Sequence, residues 1–326
     1  MTKIVRSVVT GAGGYLPDEV VTNDALSKVV DTSNEWIIER TGIHERRRAA
    51  PEQGCSDLAV AAARIALANA GRTPADIDLI IVATTTADLT FPATAALVQR
   101  KLGCPIGIAF DVQAVCSGFV YALTVADGFV ARGHAKCALV IGAETMTRLM
   151  DWTDRGTCVL FGDGAGAVVL EPKEGEGKTS DRGFLGFSLS CDGTKQDLLY
   201  VDGGPSTTGT VGKLRMQGNQ VFRHAVVNIS EAVRSAAVAA GVELSEVDWF
   251  IPHQANLRIL EGVARRLGIE ESRVISTVSR HANTSAASIP LALVEGMADG
   301  RIKQGDLLLM EAMGGGLTWG AVVLRL

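Results

Sequence analysis

The sequence predicts an α/β fold in which strands and helices alternate. Apolar runs of strand length are separated by alanine-rich stretches with helical periodicity, a pattern typical of sheets with largely parallel pairing. The pattern also repeats, since residues 66–83 match residues 236–253 at a constant shift of 170, the difference 236 − 66. Self-similarity of this kind indicates a duplicated strand-helix-strand-helix unit.

The elements of the first half follow in chain order. An opening strand is predicted to end in a glycine-rich turn at residues 11–14. A dinucleotide-binding motif would require a helix to begin at these glycines, and none is predicted there. Residues 31–48 predict a solvated helix and loop. Residues 56–71 predict a helix capped by Gly71. The remaining elements are a strand at 78–86, a helix at 93–103, a strand at 106–112 and a strand at 137–144.

Two other glycine-rich segments are interpreted as structural. Residues 161–167 open onto an apolar strand and not onto a helix, so they predict a tight turn with close backbone packing. Residues 175–180 resemble the end of a P-loop, but Pro172 stands where the first glycine is required. We therefore interpret this segment as the link between two domains, residues 1–174 and residues 175–326.

Composition excludes several classes of protein. The 326 residues are 47% hydrophobic and 21% charged, which is typical of a folded globular chain. No run of 18 apolar residues and no signal-peptide core is present, so we expect a cytoplasmic protein without membrane association. The six cysteines form no CxxC pair, so no metal site is expected. The net charge of −5 argues against bulk binding of nucleic acid.

Cys116 is the candidate nucleophile. It follows the strand at 106–112 and stands where a helix of apolar periodicity begins. A helix N-terminus favours the thiolate, so the pKa of Cys116 is expected to be lowered, with His253 nearby contributing. A lone cysteine on an apolar stretch is more often a small core residue, so further residues must support this role.

The duplication predicts where those further residues lie. A shift of about 167 to 169 puts Asn283 at the N-terminal end of the helix that mirrors the one after Cys116. His253 ends the repeated strand, where ligands approach in α/β sheets. Three polar groups from separate segments are therefore expected to converge on a pseudo-twofold axis, and a cysteine beside a histidine is an arrangement for covalent acyl transfer.

Five motifs then identify a resemblance. DVQAVCSGF, IPHQAN, HANTSAAS, FGDGAGA and MGGGLTWG are similar to those of the thiolase superfamily, and specifically of type III β-ketoacyl-acyl-carrier-protein synthases, over essentially the whole chain. Elongating synthases resemble these but use Cys, His and His, and thiolases use Cys, His and Cys. Chalcone-synthase-type enzymes share the triad but are typically longer. His281 replaces the tyrosine or similar residue often found two positions before the asparagine, and we assign it no role.

The resemblance implies a thiolase-like fold of duplicated βαβαβ halves, layered α-β-α-β-α. It also implies a decarboxylative Claisen condensation that initiates type II fatty-acid synthesis. Cys116 would take an acyl group from a short acyl-CoA, and malonyl-acyl carrier protein would then condense with it. His253 and Asn283 would stabilise the enolate, and the backbone N–H groups of Cys116 and Gly315 would form the oxyanion hole. No cofactor is implied, because the coenzyme A thioester is a substrate.

Substrate and partner contacts follow from the same resemblance. Trp36 would stack on the adenine of coenzyme A, with Arg40 and Arg155 near its phosphates and Asn256 lining the pantetheine tunnel. Phe91 matches a phenylalanine that closes the partner subunit's acyl pocket, which implies a homodimer. The acyl carrier protein would dock on Gln254, Ala255, Asn256, Leu257, Arg258, Arg265 and Arg266.

The charge pattern of the helix predicted at 256–267 is the basis of that docking surface. Arg258 and Arg265 are seven residues apart and hence on one face, which would attract an acidic carrier, although an ordinary solvated face has the same pattern. Two other functions remain open at this point. One is a condensing enzyme of a secondary-metabolite pathway with another starter or extender, and the other is a non-catalytic subunit that binds acyl carriers. The length of the starter chain also remains open.

Overall fold

The computed structural model describes residues 3–326. Within that range the strands are β1 (Ile4–Tyr15), β2 (Glu19–Thr22), β3 (Glu45–Arg48), β4 (Leu79–Ala83), β5 (Ile108–Val112), β6 (Ala138–Thr145), β7 (Asp163–Gly175), β8 (Gly183–Cys191), β9 (Leu199–Val201), β10 (Leu214–Met216), β11 (Trp249–Pro252), β12 (Leu307–Gly314) and β13 (Thr318–Arg325). The α-helices are α1 (Asn23–Leu26), α2 (Asn34–Thr41), α3 (Cys55–Ala70), α4 (Thr94–Leu102), α5 (Gly118–Ala131), α6 (Gly218–Ala240), α7 (Leu257–Leu267), α8 (Val278–His281) and α9 (Ser288–Ala298).

Two central sheets show the duplication. The first has the strand order β1-β7-β6-β4-β5, and the second has the order β8-β13-β12-β11. Matching β8 with β1, β13 with β7, β12 with β6 and β11 with β4 gives the same order in both sheets. The counterpart of β5 is reduced to a parallel bridge between Phe250 and Val274. The first sheet takes its strands from residues 4–175 and the second from residues 183–325.

The prediction of largely parallel pairing is wrong. In these sheets β4 is parallel to β5 and β6, and β11 is parallel to β12, but the pairs β1–β7, β6–β7, β12–β13 and β13–β8 are antiparallel. Only three residues separate β12 from β13, too few for the crossover that a parallel pair needs. The hairpin between them therefore has to be antiparallel.

Helices enclose the sheets in three layers. One core cluster joins α3 and α4 to the outer face of the first sheet. A second cluster surrounds α5 and α9 between the two sheets, and a third joins α6 and α7 to the outer face of the second sheet. This order confirms the predicted α-β-α-β-α layering. None of the helices in the described part of the chain combines the length and apolar character needed to span a lipid bilayer.

The glycine-rich segment at 11–14 lies inside β1, and residues 163–167 of the segment at 161–167 lie inside β7, so the predicted turns are wrong. A Cβ atom on Gly13 would lie 2.3 Å from the backbone nitrogen of Ala66 in α3. One on Gly166 would lie 2.6 Å from the Cβ atom of Pro290 in α9. The close backbone packing predicted for the second segment is therefore confirmed, and helices that pack on the sheet are its cause.

Candidate active site

Two matching turns lead into the central helices. Val115–Ser117 form a 3-10 turn before α5 and Ser285–Ala287 form one before α9, at a shift of 170, the difference 285 − 115. The shift of 167 to 169 predicted for this region is therefore wrong, and Cys116 corresponds to Ala286. The first residue of each turn has a positive φ, 49° at Val115 and 51° at Ser285. Such backbone is uncommon outside glycine and clusters at functional sites. Cys116 therefore lies in a strained turn two residues before α5 and not in the first turn of that helix.

One cavity of about 450 Å³ is lined by Cys116, His253 and Asn283 together. Each of the three residues is at most 6% exposed. His253 follows the end of β11, and its backbone N–H donates to the carbonyl of Glu311 in β12 at 2.8 Å. The convergence of three separate segments, which the repeat predicted, is therefore present in the fold.

His253 is a neutral hydrogen-bonding group in this cavity. Burial lowers its pKa to about 3, so it carries no charge at neutral pH. Its Nδ1 lies 2.6 Å from the hydroxyl oxygen of Ser288, at the start of α9. Nothing in the described part of the chain hydrogen-bonds to its Nε2, which leaves that nitrogen available to a ligand.

Asn283 is held rigidly with its amide nitrogen free. Its backbone N–H donates to the carbonyl of Leu160 at 2.9 Å, and its carbonyl accepts from the N–H of Gly162 at 3.0 Å. The side-chain oxygen accepts from the N–H of Ser285 at 2.9 Å. Within residues 3–326 its NH₂ group has no acceptor, so it can donate to a bound oxygen.

The expected lowering of the pKa of Cys116 is wrong for the free protein. Burial raises the pKa of the thiol to about 12, and the Glu144 carboxylate acts in the same direction. The Ser285 hydroxyl favours the thiolate from nearby but makes no hydrogen bond of normal geometry. A rise from 9.0 to about 12 corresponds to roughly 4 kcal/mol against the thiolate. A helix N-terminus contributes only about 0.3 to 2 kcal/mol, and neutral His253 adds no charge, so burial dominates.

Alkylation of Cys116 by iodoacetamide should accordingly rise about tenfold per pH unit from pH 7 to 10, without a plateau. Peptide mapping with the exposed Cys191 as an internal standard measures this rate. Glu144→Gln removes the charge that opposes the thiolate, so it should speed alkylation at each pH above 7. A plateau near neutral pH would restore the interpretation based on the sequence alone.

The C-terminal end of β12 approaches the nucleophile closely. A Cβ atom on Gly314 would lie 2.6 Å from the backbone nitrogen of Cys116. One on Gly315 would lie 2.7 Å from the carbonyl oxygen of Leu199. Only glycine allows this approach, and the oxyanion-hole role of the Cys116 and Gly315 N–H groups stays a prediction.

An aromatic and basic cluster lies at one end of the cavity. The guanidinium of Arg40 lies 4.6 Å, and that of Arg155 5.2 Å, from the centre of the Trp36 ring. Asn256 caps α7 by accepting from the N–H of Arg258 at 2.9 Å, and its amide donates to the carbonyl of Arg40 at 3.3 Å. Trp36, Arg40 and Asn256 line the cavity, so the structure brings the predicted coenzyme A contacts together.

Gln254 is not a carrier-protein contact, because it is fully buried. Its amide donates to the carbonyls of Pro252 at 2.7 Å and Ile275 at 3.1 Å, and its oxygen accepts from the N–H groups of Thr277 and Val278. It therefore ties the turn that carries His253 to the segment that leads to Asn283. Its neighbours Ala255 and Leu257 are half-buried.

The predicted docking helix is present as α7. Its apolar stripe is buried, while Arg258, Arg265 and Arg266 are exposed. Arg258 also lines the cavity and donates to the carbonyl of Glu39 at 2.7 Å. An arginine that the sequence did not indicate, the exposed Arg234 of α6, donates to the carbonyl of Arg266 at 3.3 Å and extends the basic surface.

Three buried polar residues around the triad were not predicted from the sequence: Glu144, Ser285 and Ser288. Burial raises the pKa of Glu144 to about 7. The hydroxyl of Thr86 donates to a carboxylate oxygen of Glu144 at 2.6 Å. Polar residues at the start of the apolar helix α9 were the available indication for the two serines. His281 does not line the cavity, and its Nε2 lies 3.4 Å from a carboxylate oxygen of Glu295, so it stays outside the site.

The layered fold and the buried Cys, His and Asn side chains define a condensing enzyme of the thiolase class. A family model for 3-oxoacyl-[acyl-carrier-protein] synthase III matches residues 110–193. A second family model, for the C-terminal region of that enzyme, matches residues 237–326. A β-ketoacyl-[acyl-carrier-protein] synthase III from Caulobacter vibrioides is 77% identical, with 99% of this chain and 100% of that protein covered. The chain therefore belongs to the β-ketoacyl-acyl-carrier-protein synthase III family.

Solved structures agree with this assignment. The 3-oxoacyl-[acyl-carrier-protein] synthase III of Aquifex aeolicus superposes with a TM-score of 0.92 at 48% identity, covering 98% of this chain and 100% of that one. The priming β-ketosynthase of the R1128 polyketide biosynthetic pathway superposes with a TM-score of 0.93 at 36% identity, covering 100% and 98%. The thiolase-like fold predicted from the motifs is therefore confirmed.

Proposed function

We propose that this enzyme condenses a short acyl-CoA, acetyl-CoA in the first instance, with malonyl-acyl carrier protein and so initiates type II fatty-acid synthesis. The observation that carries this is one cavity lined by a buried thiol and by two neutral groups, His253 Nε2 and Asn283 Nδ2, that lack protein partners in the described chain. The arrangement suits a covalent acyl intermediate followed by attack of a carbanion. The expected cytoplasmic location stays a prediction.

In the first half-reaction the sulfur of Cys116 attacks the thioester carbon of acyl-CoA. A new carbon–sulfur bond forms, the bond to coenzyme A breaks, and the thiol proton leaves with the coenzyme A sulfur. In the free enzyme, transfer of that proton to His253 is strongly uphill, because the pKa of the thiol is about 12 and that of the imidazole about 3. We therefore assign His253 no obligatory role as a base in this step.

In the second half-reaction malonyl-acyl carrier protein loses carbon dioxide. The electron pair of the broken bond moves onto the thioester carbonyl oxygen, where His253 Nε2 and Asn283 Nδ2 donate hydrogen bonds to the developing enolate. The carbanion then attacks the acyl-cysteine, and the N–H groups of Cys116 and Gly315 hold the tetrahedral oxyanion. Collapse of that intermediate releases the β-ketoacyl carrier protein and the cysteine thiolate, which takes up one proton from water.

Coenzyme A is proposed to enter along the cluster at the end of the cavity. The guanidinium groups of Arg40 and Arg155 lie over the Trp36 ring in the free protein. The adenine would stack on that ring as the two cations turn toward the phosphate groups. Asn256 lies on the path from this cluster to Cys116 as a cavity-lining polar group. Coenzyme A acts as a substrate carrier here and not as a resident cofactor.

The acyl carrier protein is proposed to dock on the exposed face of α7. Arg265 and Arg266 lie at its C-terminal end, and Arg258, which lines the cavity, lies at its N-terminal end. Acidic carrier helices complement such a basic face, and the pantetheine arm can then reach the nucleophile through the cavity. Gln254 is left out of this surface because it is buried.

Charge reversal of Arg265 tests the docking surface. Arg265 lies about 10 Å along the helix from Arg258, two turns away from the cavity, so coenzyme A contacts should be unaffected. Arg265→Glu should raise the KM for malonyl-acyl carrier protein on the order of 10-fold and weaken its salt dependence, with the KM for acetyl-CoA unchanged. Arg132→Glu is the matched control, since Arg132 ends α5 at the opposite end from Cys116. Equal carrier kinetics in both variants would remove α7 from the interface.

A homodimer is proposed through the edge of the first sheet. β5 is an edge strand, and the apolar side chains of Leu89, Phe91, Ile106 and Ile108 around it are exposed. Phe91 is 84% exposed and does not line its own cavity, as expected of a side chain that a partner subunit receives. Exposed apolar edges are commonly covered by association.

Sedimentation velocity tests that association. The wild-type protein should sediment as a particle with twice the mass of one chain. Ile108→Asp should shift the protein toward the monomer, because a charge would be buried against the partner. Val238→Asp places the same charge on α6, where Val238 is 81% exposed, and should leave the dimer intact. A monomeric wild-type protein at micromolar concentration would contradict the proposal.

A panel of acyl-CoA starters tests the function itself. Acetyl-CoA with malonyl-acyl carrier protein should give acetoacetyl-acyl carrier protein, identified by mass spectrometry. The structural similarity to a priming β-ketosynthase favours one second candidate, a condensing enzyme of a secondary-metabolite pathway. Clear preference for another starter or extender would select that candidate, and absence of acyl label on Cys116 would favour a non-catalytic subunit.

A further inference from the structure

Ser288 lies where it can decide which nitrogen of His253 carries the proton. It is the first residue of α9 and is 1% exposed. Its hydroxyl oxygen lies 2.6 Å from His253 Nδ1 and accepts from the backbone N–H of Gln254 at 3.3 Å. The hydroxyl is thus placed between an N–H donor and a ring nitrogen that can be donor or acceptor.

The number of protons available to these hydrogen bonds distinguishes the two neutral tautomers of His253, with the proton on Nδ1 or on Nε2. The N–H of Gln254 already supplies a proton to the serine oxygen, and the hydroxyl has one proton of its own to donate. In the described part of the chain the only acceptor recorded for that proton is His253 Nδ1. If Nδ1 itself carried a proton, the buried serine proton would have no acceptor, which is unfavourable. The hydrogen bonds are all satisfied when Nδ1 accepts and Nε2 carries the proton.

We infer that Ser288 is a positioning residue that holds His253 in the tautomer with its proton on Nε2, aimed at the substrate oxygen. This inference rests on the proposed function, because it explains how His253 can donate to the enolate. The hydrogen bond at one ring nitrogen sets the state of the other. Burial keeps the ring neutral, so the tautomer and not a positive charge determines whether Nε2 can donate.

Nitrogen-15 NMR of histidine-labelled protein tests the tautomer directly. The chain has five histidines, and His253→Gln identifies the signal that belongs to His253. The wild-type protein should show a protonated Nε2 and an unprotonated Nδ1 at neutral pH. Ser288→Ala should give a mixture of tautomers, and Ser288→Thr, which keeps the hydroxyl, should restore the wild-type signal.

The rate of decarboxylation should fall in the Ser288→Ala variant, whose tautomer changes, and should be near the wild-type rate in Ser288→Thr. In Ser288→Ala the kcat for carbon dioxide release from malonyl-acyl carrier protein should fall about 2- to 10-fold, in proportion to the fraction of His253 rings that lose the proton on Nε2. This is less than the ~10⁴-fold loss seen when a wrong histidine tautomer is enforced in serine proteases. Its KM and the rate of acylation from acetyl-CoA should change little. Ser230→Ala, which removes a buried serine hydroxyl from α6, is the control and should behave as wild type.

Two results would overturn the inference. One is a wild-type His253 with its proton on Nδ1, and the other is a Ser288→Ala protein with unchanged tautomer and unchanged decarboxylation. The NMR measurement needs no substrate, so the tautomer assignment can fail while condensation is observed, and it can hold while condensation is not observed.

Discussion

Cys116→Ser is expected to abolish acyl transfer from acetyl-CoA and, with it, condensation. A serine hydroxyl keeps the shape of the thiol but is a far weaker nucleophile, and no neighbouring group compensates, because His253 is a poor base at a pKa of about 3. We expect a loss of at least about 10³-fold in condensation. Radiolabelled acetyl-CoA followed by gel filtration measures the acyl-enzyme.

The same variant should still release carbon dioxide from malonyl-acyl carrier protein, because His253 and Asn283 are intact. Cys191→Ser is the matched control, since Cys191 is exposed and outside the cavity, and it should acylate normally. Retained label in Cys116→Ser would move the nucleophile to another residue. Loss of decarboxylation together with acylation would indicate a collapsed cavity.

His253→Ala and Asn283→Ala are expected to divide the two half-reactions. Each removes one hydrogen-bond donor to the enolate, which forms only in the second half-reaction, so decarboxylation should fall about 10²- to 10³-fold. Acylation should fall less than about 10-fold, because the proton of Cys116 leaves with coenzyme A. Acylation is measured with labelled acetyl-CoA, and carbon dioxide release with labelled malonyl-acyl carrier protein.

Asn283→Asp sharpens this test. It keeps the shape of the side chain and the oxygen that accepts from the N–H of Ser285, but it replaces the free NH₂ group by an acceptor. Decarboxylation should be lost as in Asn283→Ala. If His253→Ala lost acylation as completely as decarboxylation, His253 would be an obligatory base for Cys116 and the division of roles would be wrong.

Local patterns in the sequence were enough for most of the helices and strands and for the meeting of Cys116, His253 and Asn283 at one cavity. The helix predicted at 56–71 is α3, Cys55–Ala70, with Gly71 in the left-handed conformation at its end. Periodicity identifies such elements because neighbouring side chains on one face share one environment. The repeat then placed Cys116, His253 and Asn283 together, because duplicated halves related by a pseudo-twofold axis bring equivalent ends of strands and helices to one place.

The tertiary structure alone decided the electrostatics and the packing. The pKa of Cys116 rises because the thiol is removed from water by segments distant in sequence, and that desolvation exceeds the local effect of the helix end. Gln254 was predicted to contact the carrier protein, yet its side-chain amide hydrogen-bonds to backbone groups of residues 252–278. Burial and hydrogen bonding depend on which segments, distant in the sequence, meet in the fold. Local periodicity carries no information about contacts between distant segments.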